Sequence, residues 1–106
     1  MTTELRRAVR YPVVATVEVR QRQILIKVRA RTSDLSITGC YIDTLNPLPC
    51  GTEVELQISH NNETVIVGGT VAYARANMGM GVQFNVVDDR QLQILRRWIS
   101  AVVLPE

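Results

Sequence analysis

The chain has 106 residues, 46% of them hydrophobic and 21% charged, with a formal net charge of +2. That is the length of one domain, long enough to bury a core without disulfides or a metal to hold it. The charge is too small to mark a general nucleic-acid binder, and no apolar run reaches the roughly 18 residues that a membrane-spanning helix needs.

Met1 to Arg10 carries arginines with no apolar stretch behind them, so neither a secretion signal nor an anchor is expected and a cytoplasmic setting is. Val13, Ala15, Val17 and Val19 then alternate with Val14, Thr16, Glu18 and Arg20, the period of a half-buried strand. Ile24, Ile26, Val28, Ala30 and Thr32 alternate with Leu25, Lys27, Arg29 and Arg31, giving a second strand with a basic outer face. The short Gln21 to Gln23 link makes the two a hairpin. A turn over Ser33 to Gly39 precedes a short strand around Cys40 to Asp43, and Asn46, Pro47, Pro49 and Gly51 mark a loop. Val54, Leu56 and Ile58 define the next strand, His60 to Glu63 a polar turn, and Thr64 to Arg75 a long β-branched strand in which Gly68 and Gly69 suggest a bulge or bend. Gly79 to Phe84 is the last strand, with Met80, Val82 and Phe84 on one face.

From Asp88 the period changes. Asp88 can cap a helix with Gln91 three residues on, and Leu92, Leu95, Ile99 and Val102 recur at helical spacing to about Val103. Six evenly spaced strands with short turns predict an all-β domain closed as an antiparallel barrel, which removes exposed edges, with one C-terminal helix. The expected division is a single domain over 1–106: an arginine-rich arm at 1–11, the barrel at 12–86 and the helix at 88–103. Ile94, Trp98 and Val103 widen the helix's apolar surface beyond one packing stripe. Either they plug the barrel end, or part of the helix meets a second copy of the chain or a partner protein.

Two segments stand apart from the core pattern: Arg6-Arg7-Ala8-Val9-Arg10, and Asp34-Leu35-Ser36-Ile37-Thr38-Gly39. Lys27 is the sole lysine among twelve basic residues, so the charge is carried by planar forks that match phosphate and the Hoogsteen edge of guanine, unless the genome simply prefers arginine. A spacing of four places Arg6 and Arg10 on one side of an extended chain or of a helix. Asp34 can accept from guanine N1–H and N2–H, Ser36 offers a small hydroxyl, and Gly39 lets the backbone turn and approach a ligand closely. Read blandly, the two segments are a basic tail and an Asx-type turn.

Taken together, in this order and with a hairpin between them, the two segments resemble the signature of the PilZ family, RxxxR followed downstream by (D/N)xSxxG at the lip of a six-stranded barrel. Arg6 and Arg10 match the first half, Asp34, Ser36 and Gly39 the second, and Gly79 to Phe84 looks like the family's last barrel strand. The resemblance covers essentially the whole chain and implies a bacterial receptor for cyclic di-GMP held by Arg6, Arg7, Arg10, Asp34, Ser36 and Gly39. It also implies that the arm is flexible and orders over the ligand, with a downstream protein reading the result. Leu5 precedes RxxxR and can neither stack like a guanidinium nor donate to guanine, which favours one ligand molecule per site, although Arg7 is close enough to act as a platform.

Catalysis is not expected. His60 is the only histidine and sits in a polar turn, Cys40 and Cys50 lack zinc or redox spacing and read as reduced thiols, and no cofactor or metal motif occurs. Two rival readings stay open: a domain of the same fold that acts only as a protein adaptor without binding the nucleotide, and a small barrel that tracks single-stranded nucleic acid along Lys27, Arg29 and Arg31. The latter lacks the aromatics such sites use for stacking, so no DNA or RNA partner is expected.

Overall fold

The computed structural model of the chain describes residues 9–24 and 27–103. Six strands and a helix follow one another: β1 (Thr16–Gln21), β2 (Lys27–Leu35), β3 (Gly39–Asp43), β4 (Glu53–His60), β5 (Glu63–Arg75), β6 (Gly79–Phe84) and α1 (Asp89–Val103). The strands close an antiparallel barrel in the order β1-β2-β3-β6-β5-β4. Leu25 and Ile26, expected to open the second strand, lie outside the described residues.

Alternation sets the inside. Val17 and Val19 of β1, Cys40 and Ile42 of β3, Val54, Leu56 and Ile58 of β4, Val65, Val67 and Val71 of β5, and Met80, Val82 and Phe84 of β6 form one buried cluster. Val13 and Ala15 keep the same inward phase ahead of β1. Thr32 secures them: its buried hydroxyl donates to Val13 O at 2.8 Å and accepts from Ala15 N–H at 3.0 Å, so the one polar side chain placed there leaves no group unsatisfied.

Two bulges interrupt the alternation. In β2 the register with β3 shifts between Thr32 and Asp34, and in β5 the register with β6 shifts between Val71 and Tyr73. One extra residue reverses which face the following side chains take. Thr32 therefore faces in and Asp34 out; Val71 faces in and Tyr73 out. The break in β5 was expected at Gly68 and Gly69, but those residues lie in regular ladder opposite Glu55 and Val54. Gly69 is glycine for a different reason: a β-carbon there would come within 2.7 Å of the Val82 side chain and 2.9 Å of Gln83 O. The expected turn over Ser33 to Gly39 is also shorter, because β2 runs on to Leu35.

Helix α1 lies against β5. The Asp88 carboxylate accepts from Gln91 N–H at 3.0 Å, the expected cap. The Gln91 side chain does not return the bond; its Oε1 accepts from Ile66 N–H at 2.9 Å and so ties the helix start to β5. Leu95 and Trp98 are buried and Ile94 and Val102 pack on the barrel core, so the barrel itself takes up most of the helix's wide apolar surface. Glu63 holds the far end, accepting from Trp98 Nε1 at 3.2 Å and from Arg97 Nη2 at 2.7 Å.

Candidate functional site

Tyr11 brings the end of the arm to the barrel. Its N–H and C=O exchange bonds of 2.9 Å with Leu35, an isolated bridge that continues the edge of β2. Arg10 is thereby set beside Asp34, and its Nη1 lies 3.4 Å from Asp34 Oδ1 and donates to Tyr73 Oη at 3.3 Å. The two motif halves, 24 residues apart in sequence, meet. Both side chains are about one-third exposed (32% and 31%), so the pair is reachable by a ligand and contributes only about 0–1 kcal/mol to the fold. Arg6 and Arg7 lie outside the described residues.

Ser36 and Gly39 do structural work at the turn. Ser36 is 2% exposed, and its hydroxyl accepts from Thr38 N–H and Gly39 N–H, each at 3.1 Å, while its own N–H donates to Gly39 O at 2.8 Å. The hydroxyl builds the turn that carries Asp34. Gly39 sits at the start of β3, where a β-carbon would collide with Val82 O of β6. Its lack of a side chain lets the β3 and β6 backbones approach.

Beyond the motif, the surface next to Asp34 is an aromatic patch. The register runs Asp34 to Tyr41 to Gly81 to Tyr73 across β2, β3, β6 and β5. Gly81 leaves room for the Tyr73 ring to lie on β6, and Gly79 does the same for Tyr41, since a β-carbon at either glycine would meet the ring. The two rings stand 6.1 Å apart with a 33° tilt, and the Arg75 guanidinium lies 5.7 Å from the Tyr73 centroid. Flat, partly exposed rings with a guanidinium alongside can stack on a planar base.

Sequence reasoning missed Tyr41, Tyr73 and Arg75, having read the chain as lacking aromatics for stacking. The available signal was Gly-Met-Gly at 79–81, with glycine at two of the three outward positions of β6. Beneath the patch, burial first, then the Asp34 carboxylate, with the Arg10 guanidinium opposing, pushes the Cys40 thiol up to about 12. It is a neutral core group and no nucleophile. Among the described residues no cluster of metal-ligating side chains occurs, and no helix is long and apolar enough to cross a membrane.

Fold and patch define a class: a six-stranded barrel with one C-terminal helix and an arginine–carboxylate pair at its lip. The model of the PilZ domain matches residues 4–101, and the chain belongs to that family. Among solved structures it is similar to the inhibitor of motility MotI/DgrA of Bacillus subtilis (TM-score 0.77, 16% identity, 98% of this chain and 53% of that one). It is also similar to the PilZ domain of CeSA from a cellulose-synthesizing bacterium (0.69, 21%, 91% and 99%) and to the PilZ domain of Escherichia coli YcgR, solved with cyclic di-GMP (0.75, 15%, 94% and 92%). The chain thus spans about half the length of the Bacillus protein and nearly all of the other two domains. Among curated proteins none matches the sequence.

Proposed function

We propose that this chain is a receptor domain for cyclic di-GMP that works by binding alone. The observation that carries the reading is the meeting of Arg10 and Asp34 at an exposed aromatic patch. A guanine needs a carboxylate for N1–H and N2–H, a fork for O6 and N7, and a planar face to stack on. All three are within one patch here. Because the Arg10–Asp34 contact is long and about one-third exposed, a ligand can replace it at small cost: Asp34 turns to the base and Arg10 to phosphate or to the Hoogsteen edge. Arg6 and Arg7 complete the grip in this reading, as the arm at 1–11 orders over the ligand and a downstream protein reads the ordered arm. Ser36 and Gly39 serve by holding the turn.

The test is a thermal melt with and without the dinucleotide. A ligand that binds only the folded state adds about 2.7 kcal/mol at a hundredfold excess over Kd, enough to move the midpoint of a domain this size by roughly 10 °C. Cyclic di-GMP should produce that shift, and GMP, cyclic di-AMP and oligonucleotides should not. Arg10→Ala and Asp34→Ala should each abolish it while the unliganded midpoint stays within about 1 kcal/mol of the wild type. A wild-type melt indifferent to cyclic di-GMP, with no heat in calorimetric titration, refutes the receptor reading and leaves the adaptor.

A further inference from the structure

Next to the row that holds Asp34 runs a second outward row that the motif does not contain. Arg31 of β2 faces Asp43 of β3, which faces Gly79 of β6, which faces Arg75 of β5. Along β3, β6 and β5 the two rows are two residues apart, about 7 Å; in β2 Arg31 and Asp34 are three residues apart across the bulge, and neighbouring strands are about 4.8 Å apart. The Tyr41 ring leans onto Gly79, into this second row, as the Tyr73 ring leans onto Gly81 in the first. Each row therefore offers the same set: a carboxylate, a guanidinium and a flat ring over a glycine. The first has Asp34, Arg10 and Tyr73; the second has Asp43, Arg75 or Arg31, and Tyr41. Among the described residues no ion pair joins Asp43 to either arginine, although Arg31 is its direct cross-strand partner.

A repeated set suits a ligand that repeats. Resting on the receptor reading above, we infer that Asp43 is a second specificity residue, which reads the other guanine of the same cyclic di-GMP molecule while Arg31 and Arg75 take up its phosphates and Hoogsteen edge. Asp34 alone would distinguish guanine from adenine at one base only. With both carboxylates on one face the domain tests both bases, and one molecule spans the two rows.

The mixed dinucleotide cyclic GMP-AMP separates the two readings, because it can satisfy one carboxylate and not both. Calorimetric titrations of the wild type, Asp43→Ala and Asp43→Asn with cyclic di-GMP and with cyclic GMP-AMP make the comparison, with unliganded melts as a check on the fold. The wild type should prefer cyclic di-GMP by about tenfold or more, at one molecule per chain. Both Asp43 variants should bind cyclic di-GMP about tenfold more weakly and lose the preference, since Asp43 is exposed and its replacement leaves the core alone. A wild type that binds cyclic di-GMP, with Asp43 variants that keep both its affinity and its preference, overturns this inference and leaves the receptor reading standing. A wild type that binds neither dinucleotide overturns both.

Discussion

A methyl group added at Gly39 or at Gly81 collides with a neighbour, but the neighbours differ in kind. At Gly39 it is the Val82 carbonyl, fixed in the β3–β6 ladder; at Gly81 it is the ring of Tyr73, which can swing away. Gly39→Ala is therefore expected to destabilise the fold by about 1–3 kcal/mol, read as a lower denaturant midpoint. Gly81→Ala should leave that midpoint nearly unchanged and instead lift the Tyr73 ring off the patch, weakening cyclic di-GMP binding in a titration. Equal losses of stability would show that the Tyr73 ring is locked and not laid down. The same residues mark how far the sequence could be read. Asp34 and Arg10 were legible as a pair only through the resemblance that joins the two motif halves, since 24 residues of separation leave no periodic trace of their contact. Ser36 and Gly39 were legible as members of the motif but not by what they touch, since a hydroxyl that faces a ligand and one that closes a turn leave the same letter at the same place. Tyr73 was illegible: two residues after Val71 its parity places it inside, and only the intervening bulge turns it out.

Elements fared according to how much of their signal is periodic. All six strands and the helix occur in the expected order, because burial on one face leaves a pattern in the chain itself, although β1 begins at Thr16 and not Val13 and β2 runs on to Leu35. Bulges leave none that is reliable; the paired glycines drew attention to positions 68 and 69, whereas the shift falls at 72, an alanine with nothing unusual about it. The tie between α1 and β5 was invisible for a related reason, as it joins Glu63 to Trp98 across 35 residues. That tie supports a prediction. Glu63→Ala removes the acceptor of Trp98 Nε1–H and half of the ion pair with Arg97, and should cost about 1–2 kcal/mol in urea unfolding followed by Trp98 fluorescence. Asp88→Ala removes the cap and should cost about 1 kcal/mol. If Glu63→Ala unfolds at the wild-type midpoint, the apolar packing of Leu95 and Trp98 alone holds the helix.

At the scale of the whole molecule, closure of the barrel makes one thiol a reporter of global unfolding. Cys50 is exposed at the barrel's rim, with its thiol donating to Ala72 O at 3.1 Å; Cys40 is wholly enclosed between β2 and β6 and has no route to solvent short of opening the ladder. Iodoacetamide should therefore label Cys50 in the native protein at once and Cys40 only at the rate set by opening, which intact-mass measurements distinguish as one adduct and then two. Alkali reports the same enclosure as energy. In the unfolded chain the Cys40 thiol ionises near its ordinary value of 9.0, whereas in the barrel burial keeps it protonated up to about 12. Between those values the unfolded state binds fewer protons than the folded one, so the stability associated with Cys40 is whole below pH 9 and is lost as pH rises toward 12. Cys40→Ala should remove that part of the slope: the wild type and the variant should lose their difference in stability as the pH is taken from 8 to 11. A difference that stays constant across that range would mean that Cys40 ionises in the folded barrel as readily as in the open chain, and the barrel would then have to be leakier than its ladder indicates.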